Sequence, residues 1–421
     1  MFGMRSYLFV LWIIGSSSAV YADHPNEGKV AIMQLVEEAQ KNNLEIQRSE
    51  ENLRALKLKH LSQFGRFVPR LSVEGGPQST KYDDGKSSGT AIYGKAEWNL
   101  YNGGTDRSSI ELSKIELESE ERLLKALRNR VRSEISKIYY ELQFLLESIS
   151  LKQKAIELNA QQMKIAKAKN VSGFTTSLDV LEFDLRESTL QSDLVLLNQQ
   201  LSQKSRDLDV LLSRQSQSNT EAVRGHLVRE NIEFNRTELL AKIQESNDQL
   251  LLARIEFQQA QTEKQQAKSQ FLPRLDLEAK YGRLATDEKI FNDNDNYAVM
   301  LKFKLPLFSG FEDVNTVQSL NAKVGASQKT IDQKNISLVA ELDSVLAEVS
   351  ALKARLDLEE KNLERSEKYY KMTLEEYRRG IKNSPDMVGA SERLLDARIR
   401  NLEYRRDLML AKAKIQELTG E

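Results

Sequence analysis

Apolar residues recur every three or four positions over most of this chain, and every second position in four short segments. Residues Ala31 to Gln63 carry the helical period, which Gly65 and Pro69 end, because proline cannot continue a helix and pushes its predecessor to extended geometry. Leu71, Val73 and Gly75 then alternate with Ser72, Glu74 and Gly76. A polar turn from Tyr82 to Gly89 follows. Beyond it Ile92, Gly94, Ala96, Trp98 and Leu100 share one face, opposite Tyr93, Lys95, Glu97, Asn99 and Tyr101. Period two with one apolar and one polar face predicts strands.

From Thr105 to Asn170 there is neither Pro nor Gly. Leu124, Leu127, Val131, Ile135, Ile138, Leu142, Leu145 and Ile149 form a narrow seam, as in a coiled coil. At 1.5 Å per residue the helix would run roughly 100 Å. The turn Val171 to Ser177 breaks this rod, with Ser177 as the expected N-cap of a returning helix. That helix places Leu190, Leu194, Leu197, Leu201, Leu208 and Leu211 at heptad spacing. Residues 215–235 lose periodicity and read as a connector.

The same order then returns. Phe67-Val68-Pro69-Arg70-Leu71-Ser72-Val73-Glu74 reappears as Phe271-Leu272-Pro273-Arg274-Leu275-Asp276-Leu277-Glu278. Thr237 to Gln270 is helical. Leu275, Leu277, Ala279 and Tyr281 alternate with charged residues, and Asn292-Asp293-Asn294-Asp295 marks a turn. Tyr297, Val299, Leu301, Phe303, Leu305 and Leu307 share a face opposite Lys302 and Lys304. A second rod spans 311–379 with a seam of Leu338, Leu342, Val345, Val349, Leu352, Leu356 and Leu363. Ser384 as N-cap and Pro385 restart a helix to Leu418. Gly173, Ser177 and Asp179 match Gly380, Ser384 and Asp386 at one constant offset of 207. The chain is therefore one unit used twice: repeat one over 23–214, a connector over 215–235, and repeat two over 236–421.

Composition narrows the class. Lys plus Arg number 61 against 62 Asp plus Glu, which gives no electrostatic footprint for nucleic acid. A mean hydropathy of −0.52 is too polar for a bundle of membrane helices. Cysteine is absent, excluding disulfides, thiolate metal sites and a lipidated cysteine. No His pair or Gly-rich phosphate loop points to catalysis, a cofactor or a metal. Residues 1–22 read as a signal peptide, with Arg5, the apolar run Leu8 to Ile14, and Val20-Tyr21-Ala22 at the cleavage site.

Four strands of about ten residues suit an outer membrane. They cannot close a barrel alone, and lipid does not tolerate an open edge. Two copies would give eight strands, and three would give twelve with the beginnings of a lumen. Periodicity alone also fits half of a soluble sandwich; the signal peptide, the missing cysteines and the matched strand pairs favour a shared barrel. A periplasmic coiled-coil scaffold or adaptor that never enters a membrane is the alternative.

The doubled Phe-x-Pro-x-Leu strand entry, the strand exits Trp98-Asn99-Leu100-Tyr101-Asn102-Gly103-Gly104 and Leu305-Pro306-Leu307-Phe308-Ser309-Gly310, and the doubled Gly-x-x-x-Ser-x-Asp turn carry a resemblance. On them the chain resembles the outer-membrane efflux proteins, the TolC-like channels, over nearly its whole length. The resemblance implies a mainly α fold with a small β part. Long antiparallel coiled-coil helices would form a trimeric α-barrel, and four strands per chain would enter a shared twelve-stranded transmembrane β-barrel. It implies a homotrimer in outer-membrane lipid, with its helices in the periplasm. Such a duct works with a periplasmic adaptor and an inner-membrane pump in efflux or type I secretion, and catalyses no reaction. Carried over, the two turns are the periplasmic tip. Asp179, Asp386, Tyr377 and Lys382 become gate residues, while Gly173, Phe174, Ser177, Gly380, Ile381 and Ser384 become the adaptor-contact tip. Where the family has a further acidic residue, this chain has Gly389.

Overall fold

The computed structural model describes residues 26–82, 85–173, 175–215, 223, 225–230, 232–283 and 296–420. The expected signal peptide, Phe174 and the turn Asn292 to Asp295 lie outside the described residues. The elements run α1 (Asn26–Asn42), α2 (Leu44–Gln63), β1 (Arg70–Tyr82), β2 (Gly85–Asn102), α3 (Thr105–Val171) and α4 (Ser177–Leu211). The second set is α5 (Arg236–Ser246), α6 (Asp248–Lys268), β3 (Arg274–Arg283), β4 (Asn296–Lys304), α7 (Glu312–Arg378) and α8 (Ser384–Thr419). Short 3-10 turns at 64–67 and 269–271 lead into β1 and β3.

Two unbroken rods of 67 residues, α3 and α7, run the length of the helical part. Helices α4 and α8 pack along their tip-proximal halves, and α2 and α6 along the halves next to the sheet. The predicted seams are the core. Leu124, Val131, Ile135 and Leu142 pack with α1, α2 and the end of α4. Leu338, Leu342, Val345, Val349, Leu352 and Leu356 pack with α5, α6 and α8. In α4 Leu190 and Leu208 of the predicted leucines are buried and Leu194, Leu197, Leu201 and Leu211 half-buried, while Val195 and Leu196 are exposed, so this helix has a second apolar side that its own chain leaves uncovered.

The helical patterns at Ala31–Gln63 and Thr237–Gln270 are each split in two, at Asn43 and Asn247. The cause is chemical and the same in both. Asn43 Oδ1 accepts from the backbone N of Glu45 (2.9 Å) and Ile46 (3.1 Å), capping α2. Its Nδ2 donates to Leu211 O at 2.7 Å, an orphan carbonyl at the end of α4. Asn247 repeats this: its Oδ1 accepts from Leu250 N (3.1 Å) and its Nδ2 donates to Leu418 O (2.9 Å). One buried amide thus serves a helix start and a helix end, and makes α4 with α2, and α8 with α6, stacked rods opposite α3 and α7.

The connector is a strap pinned to three helices. Leu227 N donates to Glu147 of α3 (2.7 Å), and Arg405 of α8 donates to Leu227 O (3.1 Å). Arg229 pairs with Asp357 (2.7 Å) and Glu360 (2.6 Å) of α7.

The four strands form one antiparallel sheet in the order β1-β2-β3-β4. Leu71, Ala96, Ala279 and Val299 lie in register on one face, beside Val73, Gly94, Tyr281 and Tyr297. The opposite face carries Glu74, Lys95, Glu97, Glu278, Lys280 and Lys302, with ion pairs across strands, Lys95–Glu74 (3.3 Å) and Lys302–Glu278, and along one strand, Lys280–Glu278 (2.9 Å). A bulge between Asn99 and Tyr101 corrects the sequence expectation at the strand end. Leu100 is the extra residue and drops out of register, so Tyr101 turns to the apolar face opposite Leu275. Strand β4 ends at Lys304, leaving Leu305 and Leu307 outside it, since Pro306 has no N–H for a ladder.

At the exit of β2, Gly103 has φ +70°, and a Cβ there would lie 2.4 Å from Ser269 O. Its neighbour Gly104 has φ +89° with open space around it. Gly103→Ala is expected to cost about 2 kcal/mol or more, from left-handed strain plus overpacking, and Gly104→Ala about 1 kcal/mol, both read from thermal melts followed by circular dichroism. Equal melts would remove the close approach. Asn247→Ala is expected to cost about 1–2 kcal/mol, and Asn247→Asp, which keeps the cap acceptor but sets a buried carboxylate against Leu418 O, is expected to cost at least as much.

Candidate functional site

The end of the helical part remote from the sheet brings both Gly-containing turns together. Helix α3 finishes at Val171, and Gly173 follows at φ +75°. Helix α7 finishes at Arg378, and Gly380 follows at φ +80°. A Cβ at either glycine would meet nothing within 4 Å, so the backbone angle, not crowding, requires glycine here. At the second turn Gly380 N donates to Tyr377 O (3.1 Å) and Ile381 N to Glu376 O (2.9 Å).

The N-caps differ from those expected at Ser177 and Ser384. Thr176 and Asn383 hold the cap positions with extended ψ of 163° and 177°. Ser177 and Ser384 are already the first helical residues. The aspartates decide this. A cap sits three residues before the side chain that reaches back to it, and Asp179 and Asp386 fix that place. Asp386 N donates to Asn383 Oδ1 at 3.1 Å, and Asn383 N donates to Asp386 Oδ2 at 3.5 Å. Lys382 Nζ stands 3.7 Å from Asp386 Oδ2.

Asp179 does more than its repeat mate. Its Oδ2 accepts from the backbone N (3.0 Å) and hydroxyl (3.1 Å) of Thr176. Its Oδ1 accepts from Ser384 N at 3.3 Å, across the boundary between repeats. Partial burial raises its carboxyl, but the bonds from Thr176 and Ser384 outweigh that and hold it below the ordinary aspartate range.

Behind this clasp lies a small core of Met163, Ala166, Phe183, Tyr377, Met387 and Val388. Tyr377 is 1 % exposed, with its hydroxyl 3.5 Å from Ser384 Oγ and its ring edge-on to Phe183 at 6.1 Å. Burial pushes its phenol up, against the Ser384 contact and together with the Asp179 charge. Lys169 of α3 donates to Tyr377 O at 2.5 Å and lies 4.4 Å over its ring. Polar ties between the repeats in this region therefore include Asp179 to Ser384, Lys169 to Tyr377, Gln162 to Tyr370 (3.1 Å) and Arg186 to Glu392 (2.7 Å).

A family model described as outer membrane efflux protein matches residues 35–214 and, again, residues 239–421. The chain belongs to the outer membrane efflux protein family. The double match coincides with the internal repeat. No curated protein matches the chain. Among solved structures, VceC of Vibrio cholerae, an outer membrane protein, superposes with TM-score 0.80 at 16 % identity, covering 94 % of this chain and 97 % of that one. The Campylobacter jejuni CmeC outer membrane channel gives 0.80 at 15 % identity, covering 100 % and 94 %. The open state of the Neisseria gonorrhoeae MtrE channel gives 0.78 at 15 %, covering 93 % and 89 %. These likenesses show a shared fold, and the family is one of transport proteins, not enzymes.

In this efflux protein Asp179, Tyr377 and Ser384 meet in one cluster, and Lys382 and Asp386 sit beside it. Gly173, Ser177, Gly380 and Ile381 line the outer turns, with Ile381 exposed. Lys169, Thr176, Phe183 and Asn383 are the members that sequence reasoning missed. The constant offset was a usable signal for two of them, since it also pairs Thr176 with Asn383, both good capping residues. Nothing in the sequence marks Lys169 or Phe183.

The Asp179 clasp has a definite pH sign. A carboxylate held below its unfolded value adds stability above that unfolded value and loses it as pH falls through the lowered native one. Acidification through that window is expected to lower the amide protection factors, relative to the intrinsic rate at each pH, at 175–179 and 383–387, while the two large leucine-rich cores keep theirs. Asp179→Ala should produce the same local change at neutral pH, with about 1 kcal/mol lost; unchanged exchange there would remove the clasp.

Proposed function

We propose that three copies of this chain form a passive export duct through the outer membrane, its helical part in the periplasm. One observation supports this reading above the rest. The sheet has a continuous apolar face that the chain itself leaves bare: Leu71 and Val73 are each 81 % exposed, Tyr297 77 % and Phe303 67 %. Water-soluble proteins do not carry such a face uncovered, and hydrocarbon is the solvent that suits it. The opposite face, laced with Lys and Glu pairs, suits a water-filled bore. Strands β1 and β4 each have a free edge, and in lipid such edges must be paired. Three copies give twelve strands, enough to leave a lumen.

Helices α3, α4, α7 and α8 then extend the bore as a tunnel, closed at the tip in the resting state and opened by a periplasmic adaptor with its inner-membrane pump. The two glycine turns and the exposed Val171, Leu178 and Ile381 form the adaptor-facing surface. Among the described residues Asp386 is held by its cap and by Lys382 alone, so three copies of it can ring the opening and concentrate cations there.

Heat-stable trimers in the outer-membrane fraction that conduct in a planar bilayer are the expected result. A soluble periplasmic monomer would reject the duct in favour of the scaffold. Asp386→Ala is expected to weaken block by divalent cations at least several-fold in single-channel recording. Unchanged block would take the gate role from this residue.

A further inference from the structure

We infer that the seam between copies is a second edition of the β2–β3 junction inside the chain, with Lys304 of β4 directly opposite Glu74 in β1 of the next copy. The inference rests on the multi-copy barrel proposed above and adds its register. Each repeat contributes an entering strand and an exiting strand. Phe67 to Glu74 entering β1 match Phe271 to Glu278 entering β3, and Lys95 to Asp106 leaving β2 match Lys302 to Asp313 leaving β4. Within the chain the exit of repeat one lies beside the entry of repeat two, in the register Glu97↔Glu278, Trp98↔Leu277 and Ala96↔Ala279. The exit of repeat two and the entry of repeat one are the free edges. Carrying the internal register across the repeat gives Lys304↔Glu74, Leu305↔Val73 and Phe303↔Gly75 at the seam.

Three observations agree with that register. First, it keeps both faces consistent, with Phe303, Leu305, Val73 and Leu71 on the apolar side; a slip by one residue would turn Lys304 into lipid. Second, the charges fit better than at the internal junction. There two carboxylates face each other, and lysines neutralise them, with Lys95–Glu97 at 2.5 Å and Lys280–Glu278 at 2.9 Å. At the seam opposite signs meet, and Glu74 already has Lys95 (3.3 Å) and Tyr93 (2.9 Å) on its other side. Third, the exit of repeat two is bare where its mate is filled. Gly103 is packed against Ser269 O and Leu272, but Gly310, with the same left-handed φ of +68°, has nothing within 4 Å of where a Cβ would stand. Phe308 and Phe311 beside it are exposed, ring edge to ring face at 5.3 Å. The entry that would fill this place, Phe67 and Val68 of the next copy, is exposed as well.

The chain has no cysteine, so paired cysteines report the seam without background. Glu74→Cys with Lys304→Cys, purified in detergent and treated with a mild oxidant, is expected to give covalent trimers on a denaturing gel. Glu74→Cys with Lys302→Cys, which samples a two-residue slip, should give at least tenfold less. Trimers that link through position 302 instead overturn this register and leave the duct standing. A wild-type chain that is monomeric in detergent removes the duct itself. As a second reading without cysteines, Glu74→Lys and Lys304→Glu should each lower the temperature at which trimers dissociate, and the double exchange should restore it. Failure of the double exchange to recover the trimer also overturns the pairing.

Discussion

Hydrocarbon offers no hydrogen bonds to a peptide backbone, so a sheet in lipid must pair every N–H and C=O within protein. In the proposed duct that requirement organises this molecule. Its single sheet has four strands and two free edges, and one flank is apolar from Leu71 across to Val299. In the proposed assembly neither edge is satisfied until another copy arrives. The same incompleteness shows in the helices, where Val195 and Leu196 of α4 and Leu358 and Met372 of α7 remain exposed. Helices α4 and α7 are also the two flanks of the tip-proximal helical layer, so sheet and helices leave their unfinished surfaces at the protomer edges.

Duplication lets one solution serve twice, and its departures are informative. Asn43 and Asn247 solve the problem of two helix ends meeting with one amide each. At the tip the copies diverge. Asp179 reaches across to Ser384, whereas Asp386 stays within its own turn. Tyr377 occupies a buried place that its mate in the first repeat, Asn170, does not share. A tip whose two halves were identical would have no asymmetric clasp to make or break. Here the two halves share a small apolar core, Met163, Ala166 and Phe183 against Tyr377, Met387 and Val388, and polar bonds of modest individual strength such as those of Asp179 and Lys169 are laid over it. The two large leucine-rich cores lie apart from this tip, along the rods towards the sheet.

Much of the architecture was legible because it is written in periods. Seven-residue spacing over Leu124 to Ile149 and Leu338 to Leu356 specifies rods with a single seam, and alternation specifies strands with two faces. The repeat locates the tip turns, because a left-handed position such as Gly173 or Gly380 needs glycine whatever surrounds it. These are local demands, met by residues a few positions apart.

What the sequence did not reveal depends on which helix end or which strand lies alongside. Asn43 reads as one more polar residue in a helical run until Leu211 O is placed beside its amide. Leu100 continues a perfect alternation until β3 lies alongside and forces a bulge. Lys169 is one lysine among many on a polar rod until Tyr377 stands beneath it. The spacing of residues determined rods, strands and turns, because those depend on neighbours along the chain. The capped breaks, the bulge and the clasp at the tip were decided by tertiary structure, because a hydrogen bond or a stacked cation needs its partner within a few ångströms, and those partners lie as many as two hundred residues away.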